Sequence, residues 1–208
     1  MNGVIVLQGG GPFVSNDSID AEVLSGIDGY VAILPTADAF ENPELLIAES
    51  DKWAIRIGIN TKVCRLFTRT DASEAALVRI ISGAAAVYIV GDSPMHLKST
   101  LTDTPALDAI CELASSRVVV ATGGSAAALC DPMVDPRGGA YTLGLGVVSE
   151  LALITESESW SPERLARSRS LANCTLVELP TSAALMYRQR SWHHYGNVIV
   201  HGELPAQI

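Results

Sequence analysis

The chain has 208 residues, of which 48% are hydrophobic and 18% are charged, and its net charge is −9. This length suits one sizeable core, so we expect a single α/β domain over residues 1–208, and the composition excludes an extensively disordered chain. The negative charge argues against nucleic acid and anionic membranes as partners, since both require a basic protein surface.

Short apolar runs alternate with helical patterns through the first 130 residues. Asn42 and Pro43 are typical of a helix start, and Gly58 is typical of a helix end. Asp71 is placed to cap the next helix. This alternation predicts a three-layer α/β fold with a mostly parallel sheet covered on both faces. The predicted strands are 4–7, 30–34, 62–67 and 86–90, and the predicted helices are 43–57, 72–82 and two segments that start near Met95 and Thr104.

The pattern changes after residue 130. A turn-rich loop with Asp131 and Asp135 leads to a predicted strand at 151–155, and Ser161 and Pro162 start an arginine-rich helix. Residues 188–196 form a polar loop in this interpretation. Short strands, expected to be antiparallel, are predicted at 175–179, 184–187 and 197–201.

Residues 116–130 contain the sequence around which the rest of the chain is organised. A Val and Ala run precedes Gly123 and Gly124, and Ser125 then opens an Ala-rich helix. A strand, a tight turn and a helix in this order are typical of a nucleophile elbow, although Ala127 stands where the elbow formula has glycine. The alternatives are that Ser125 is an ordinary helix cap or that the helix start binds phosphate.

A glycine-rich loop, 8–12, follows the first strand. It lies at the expected carboxyl edge of the sheet, where open α/β folds bind ligands, but it lacks the GxGxxG spacing of dinucleotide sites. The four histidines and four cysteines show no metal-ligand spacing. We therefore predict no cofactor and no metal. Widely spaced cysteines without a CxxC pair favour reduced thiols and a cytoplasmic location, and no apolar run is long enough to span a membrane.

Taken together, these segments resemble the cyanophycinase and dipeptidase E family of serine peptidases. That resemblance implies a fold similar to class I glutamine amidotransferases and flavodoxin, with antiparallel strands near the C-terminus. It covers most of the chain. The matching motifs are Gly9-Gly10-Gly11, Leu34-Pro35-Thr36-Ala37, Val90-Gly91-Asp92, Gly123-Gly124-Ser125-Ala126, Leu143-Gly144-Leu145-Gly146 and the start of the arginine-rich helix.

The resemblance also implies roles for individual residues. Ser125 would be the nucleophile, and the backbone N–H groups of Gly91 and Ala126 would form the oxyanion hole. The substrate, a small acidic peptide or amide, would contact four further residues: Gly10, Gly11, Asp92 and Arg164.

The sequence departs from the family pattern around this cleft. Trp160 stands at or next to the position of the family's catalytic histidine, and an indole N–H only donates hydrogen bonds. We expect no imidazole within hydrogen-bond reach of Ser125, and we expect Trp160→His alone to restore little activity. The remaining candidates for a base are His96, Glu156 and Glu158. Val90, Ser93 and Ala127 also replace the family's usual Gly, Gln and Gly.

Three functions remain open at this point. The first is a serine peptidase acting on small aspartyl peptides or amides, with weakened or lost activity. The second is a non-catalytic relative that binds a small acidic ligand or regulates a partner through the retained cleft. The third is a structural subunit, and a homodimer is compatible with each of the three.

Overall fold

The computed structural model describes residues 3–207. Seven strands form the central sheet in the order β13-β12-β1-β5-β4-β2-β3. The five strands from β1 to β3 in this order run parallel, whereas β12 is antiparallel to β1 and β13 is antiparallel to β12. The predicted mostly parallel sheet is confirmed. The strands are β1 (Val4–Gln8), β2 (Val31–Leu34), β3 (Thr61–Val63), β4 (Ala86–Ile89), β5 (Val118–Thr122), β12 (Ala184–Arg188) and β13 (Ser191–Tyr195).

Helices cover both faces of this sheet, as predicted. On β5, Val119 and Ala121 belong to the hydrophobic cluster on one face, and Val120 belongs to the cluster on the other. This period of two explains why the strand reads as a continuous apolar run. The helices are α1 (Asp17–Leu24) and α2 (Pro43–Ile57) on one face, and α3 (Ala75–Ser82), α4 (Pro94–Leu101), α5 (Pro105–Ser116) and α6 (Gly124–Leu129) on the other.

A second group of short strands packs beside α6. The strands β10 and β11 run parallel, and β14 pairs antiparallel with β11. Helix α7 (Pro162–Leu171) lies between β10 and β11 in the chain. The remaining strands are β6 (Cys130–Asp131), β7 (Met133–Val134), β8 (Tyr141–Thr142), β9 (Val148–Ser149), β10 (Leu151–Thr155), β11 (Thr175–Leu179) and β14 (Ile199–His201).

Helix caps agree with the sequence in most places. The Asn42 side chain accepts a hydrogen bond from the Leu45 N–H at 3.2 Å, and Gly58 ends α2 with a φ of 75°. Asp71 is an exception, because its carboxylate accepts from the Phe67 and Thr68 N–H groups and helix α3 begins only at Ala75. Asp71 therefore closes a loop and does not cap the helix.

Three predictions about the strands are wrong in whole or in part. The strand predicted at 62–67 is β3, which ends at Val63. The segment 175–179 is a strand that pairs antiparallel with β14, as predicted, but its other neighbour, β10, runs parallel to it. The predicted polar loop 188–196 contains strand β13, which extends the edge of the main sheet.

Candidate functional site

Three glycine-containing loops meet at the carboxyl ends of β1, β4 and β5. The Gly123 N–H donates to the Gln8 carbonyl at 3.1 Å, which joins the loops after β5 and β1. A Cβ on Gly91 would lie 2.6 Å from the Asp38 nitrogen, and a Cβ on Gly9 would lie 1.9 Å from the Pro180 oxygen. Backbone contacts this close exclude any side chain at Gly9, so glycine is required there. The loops form a cleft at the edge where open α/β sheets bind ligands.

The apex of the turn between β5 and α6 is Gly123. Its φ of 59° and ψ of −133° lie in a region that side chains strongly disfavour. This strained residue, directly after the strand, occupies the place that a nucleophile has in an elbow. The elbow predicted from the sequence is therefore present, but its apex carries no side chain.

Ser125 lies two residues beyond the apex, inside α6. It is fully buried, and its hydroxyl donates to the Gly91 carbonyl at 3.0 Å. The Ser125 N–H donates to the same carbonyl at 3.1 Å. The prediction that Ser125 occupies the strained turn is wrong, because the strained residue is Gly123, two residues earlier in the chain. In this structure the side chain joins α6 to the loop after β4.

Of the two N–H groups predicted to form the oxyanion hole, that of Ala126 is used within helix α6. The Ala126 N–H donates to the Gly123 carbonyl at 3.0 Å, as the first turn of a helix requires. The Gly91 carbonyl accepts from both the N–H and the hydroxyl of Ser125, so the Gly91 group that contacts Ser125 is its carbonyl. In an elbow with Gly123 at its apex, the N–H next to the nucleophile position belongs to Gly124.

The Asp92 carboxylate covers the empty apex. A Cβ built on Gly123 would meet Asp92 Oδ1 at 2.8 Å, and one built on Gly124 would meet the Asp92 carbonyl oxygen at 2.5 Å. Asp92 is exposed on its cleft side. Partial burial raises the pKa of its carboxyl, the negative charge of Asp38 raises it further, and the Gly124 N–H acts in the opposite direction. A carboxylate thus lies where the side chain of a nucleophile would be.

Glu156 brings a second carboxylate to the cleft. It follows β10 with a φ of 48°, and its N–H donates to the Gly9 carbonyl at 3.0 Å. Its Oε1 lies 2.7 Å from the place of a Cβ on Gly10. Partial burial raises the Glu156 pKa, and the charges of Asp92 and Glu158 add to that effect. Of the predicted site residues, Gly10 and Asp92 therefore lie together at the cleft, and Glu156 joins them.

Trp160 forms one wall of the cleft, and Arg164 stacks on its ring. The guanidinium carbon of Arg164 lies 4.0 Å from the centroid of the Trp160 ring, an arrangement that favours cation–π attraction. The same guanidinium donates to the Pro136 carbonyl. Arg164 therefore supports the wall and the loop that contains Pro136.

The four histidines lie in other contacts. The His96 ring contacts the Phe67 carbonyl at 2.9 Å, and His201 bonds the Glu178 carboxylate at 2.7 Å. His193 and His194 are exposed on β13, which lies three strand spacings, about 14 Å, from β5. These positions agree with the expectation that no imidazole reaches the Ser125 hydroxyl.

The other candidate residues have local structural roles. Glu158 accepts from the Thr181 N–H at 3.0 Å, and its pKa is lowered. Gly11 turns the first loop with a φ of 58°. Asp131 accepts from the Gly144 N–H at 2.9 Å, and Asp135 forms an ion pair with Arg137 at 2.7 Å.

Two connected hollows make up the cleft. The inner one, of about 80 Å³, lies between Asp92, Gly124, Glu156 and Trp160. The outer one, of about 770 Å³, shares Asp92 with it and is also lined by Asp38, Glu41, Leu45, Met95 and Arg137.

A larger depression of about 880 Å³ lies between the small sheets, near Tyr141 and Cys174, away from these loops. Across residues 3–207 we find no group of three His, Cys, Asp or Glu side chains that could hold a metal ion. Within the same range, no helix has the length and apolar character needed to cross a membrane.

Comparison with solved structures places the fold among peptidases. The chain superposes on a peptidase from an acI-B1 actinobacterium with a TM-score of 0.85 and 23% identity, over 97% of this chain and 90% of that one. A candidate peptidase E from Listeria monocytogenes EGD-e gives a TM-score of 0.73 and 14% identity, over 93% of this chain and 98% of that one. No protein-family model and no curated protein sequence matches the chain. These likenesses confirm the predicted fold, which is one that solved peptidases share.

Proposed function

We propose that this protein is a non-catalytic binding protein on a peptidase-type fold, and that its cleft takes a small ligand carrying an amine or guanidinium group. The observation that carries this proposal is the elbow itself. Its apex is Gly123, and the Asp92 carboxylate lies over it. Fold alone does not determine function, so the proposal depends on the chemistry of these residues.

Serine peptidase chemistry needs an exposed hydroxyl and a base that removes its proton. The Ser125 hydroxyl is buried and donates a hydrogen bond to the Gly91 carbonyl. Exposing it would require the start of α6 to separate from the loop after β4. A second candidate, a Ser125-dependent hydrolase, would need that rearrangement as well as a base.

The charges around the cleft favour a cation. Four carboxylates line the two hollows, namely those of Asp38, Glu41, Asp92 and Glu156. Arg137 also lines the outer hollow, but it is paired with Asp135. An acidic ligand, which the family resemblance implied, would meet repulsion here, whereas a cation would form charge-assisted hydrogen bonds.

Calorimetric titration tests the ligand class. We expect agmatine, which carries both an amine and a guanidinium, to bind at pH 8, and N-acetylaspartate to give no heat of binding. Binding should strengthen as pH rises, because the pKa values of Asp92 and Glu156 are raised and both groups ionise late. Asp92→Asn should weaken agmatine at least about tenfold, the worth of one charge-assisted hydrogen bond.

The matched control is Asp28→Asn, which removes an exposed carboxylate outside the cleft lining. Its affinity for agmatine should equal that of the wild type. Equal affinity in the Asp92→Asn variant, or preferential binding of N-acetylaspartate, would contradict the proposal.

A further inference from the structure

Helix α1 holds the loop after β1 at two points. The Asn16 side-chain amide, just before the helix, donates to the Gly10 carbonyl at 3.0 Å. One turn later, the Asp20 carboxylate accepts from the Gln8 side-chain amide at 2.6 Å. Both contacts are buried, so a shift of α1 would displace residues 8–10.

Asp20 is fully buried and has only neutral hydrogen-bond donors around it. Trp53 from α2 donates to its second oxygen at 3.2 Å, and the Tyr88 hydroxyl from β4 donates to the Gln8 carbonyl oxygen Oε1 at 2.9 Å. The nearest charge on α1 is that of Asp17, which has the same sign. Of the two cations on α2, Arg56 bonds Asp17 at 2.9 Å and Lys52 pairs with Glu49 at 2.7 Å.

The neutral form of Asp20 suits this site better than the ionised form does. With the Gln8 side-chain amide flipped, the Gln8 oxygen accepts a hydrogen bond from a neutral Asp20 carboxyl. The Gln8 nitrogen then donates to the Tyr88 hydroxyl. Ionisation would leave an unpaired charge in the interior. Burial accordingly raises the pKa of Asp20 from 3.8 to about 7, so the change of state falls in the neutral range.

This cluster is bonded directly to the cleft. The Gln8 carbonyl accepts from the N–H of Gly123 at the elbow apex, and the Gly9 carbonyl accepts from the N–H of Glu156. The Glu156 carboxylate lies against Gly10. A displacement of residues 8–10 would therefore alter both the apex and Glu156, one of the four cleft carboxylates.

We propose that α1 is a proton-controlled clamp on the cleft: protonated Asp20 lets α1 hold residues 8–10 as seen here, and ionised Asp20 releases them. A buried charge lowers its free energy by reaching water, and withdrawal of a short helix is the smallest opening that allows it. The inference concerns the ligand-free protein and does not depend on what the cleft binds.

Hydrogen exchange of the Gly9 amide tests the clamp. This N–H donates to the Ala183 carbonyl at 2.8 Å and exchanges only when the loop opens. After correction for the intrinsic rate, protection in the wild type should fall about tenfold per pH unit between pH 5 and 7 and level off above, since one proton is released on opening. Asp20→Asn should lose most of this decline in protection, and Asp28→Asn should behave as the wild type.

Two further readings keep the test decisive. The Val120 amide in β5 reports global unfolding and should stay at least about tenfold more protected than Gly9. Exchange of both amides at one rate, or an equal decline in Asp20→Asn, would overturn the clamp. If Asp20→Asn does not fold, the carbon-13 shift of the wild-type Asp20 carboxyl decides. A titration midpoint of this carboxyl near pH 7, with the protection of the loop amides changing over the same pH range, supports the proposal. A titration midpoint below pH 5 refutes it.

Discussion

Asp20→Asn should stabilise the protein against urea relative to the wild type, and the difference in free energy of unfolding should grow with pH. The pH-dependent part of this difference is about 2 kcal/mol at pH 5 and about 4 kcal/mol at pH 8, to which the amide adds a cost that does not change with pH. The native pKa of about 7 lies above the unfolded value of 3.8. Between these values the native state binds one proton more than the unfolded state, so wild-type stability declines as pH rises. The loss of stability caused by ionising Asp20 is absent below the pKa of the unfolded state and complete above the pKa of the native state.

Urea unfolding at several pH values between 5 and 9 measures this difference. Asp28→Asn makes the same chemical change at an exposed position and should follow the wild-type profile. A difference between Asp20→Asn and wild type that stays constant with pH would show that Asp20 is ionised in the native protein throughout.

Gly9→Ala should destabilise the protein by about 3 kcal/mol or more, because an added Cβ would lie 1.9 Å from the Pro180 carbonyl oxygen and 2.7 Å from that of Leu179. Both contacts are with backbone, which cannot rotate away. The Gly9 N–H also donates to the Ala183 carbonyl, so displacing the loop would break a buried hydrogen bond.

Gly138→Ala is the matched control for this substitution. An added Cβ there meets nothing within 4 Å among the described residues, and the backbone of Gly138 is not in the left-handed region. Its stability should stay within about 1 kcal/mol of the wild type. Equal unfolding midpoints for Gly9→Ala and Gly138→Ala would show that the loop after β1 is not packed as described.

The sequence predicts most of the fold because local patterns determine it. Buried parallel strands such as β4 and β5 require apolar residues on both faces, and helix ends are recognisable in the sequence from capping residues such as Asn42 and Gly58. Strand pairing is not a local property. The parallel alignment of β11 with β10, and the addition of the polar β13 to the main sheet, depend on partners far away in the chain.

The sequence predicts the elbow but not the position of its apex, which lies two residues before Ser125. The motif around Ser125 predicts an elbow, but the position of its apex depends on where β5 ends. Since β5 ends at Thr122, the first residue of the turn is Gly123. Counting from the end of the strand would have identified this glycine without the structure.

The burial of ionisable groups is not predictable from the sequence, for a similar reason. Glu178 is buried and pairs with Arg169 at 2.7 Å and with His201 at 2.7 Å, and these partners lie on α7 and β14. The Asp20 cluster likewise joins α1, β1, α2 and β4. In sequence, Asp20 and Glu178 look like ordinary surface carboxylates, because burial depends on contacts between elements.

Reaction with a fluorophosphonate probe tests most directly whether this protein has a serine nucleophile. Intact mass measurement of the wild-type protein after prolonged exposure should show no adduct, because Gly123 has no side chain and the Ser125 hydroxyl is buried against the Gly91 carbonyl. A reactive serine hydrolase in the same mixture, labelled to completion, serves as the positive control. A stoichiometric adduct that peptide mapping assigns to Ser125 would contradict the account.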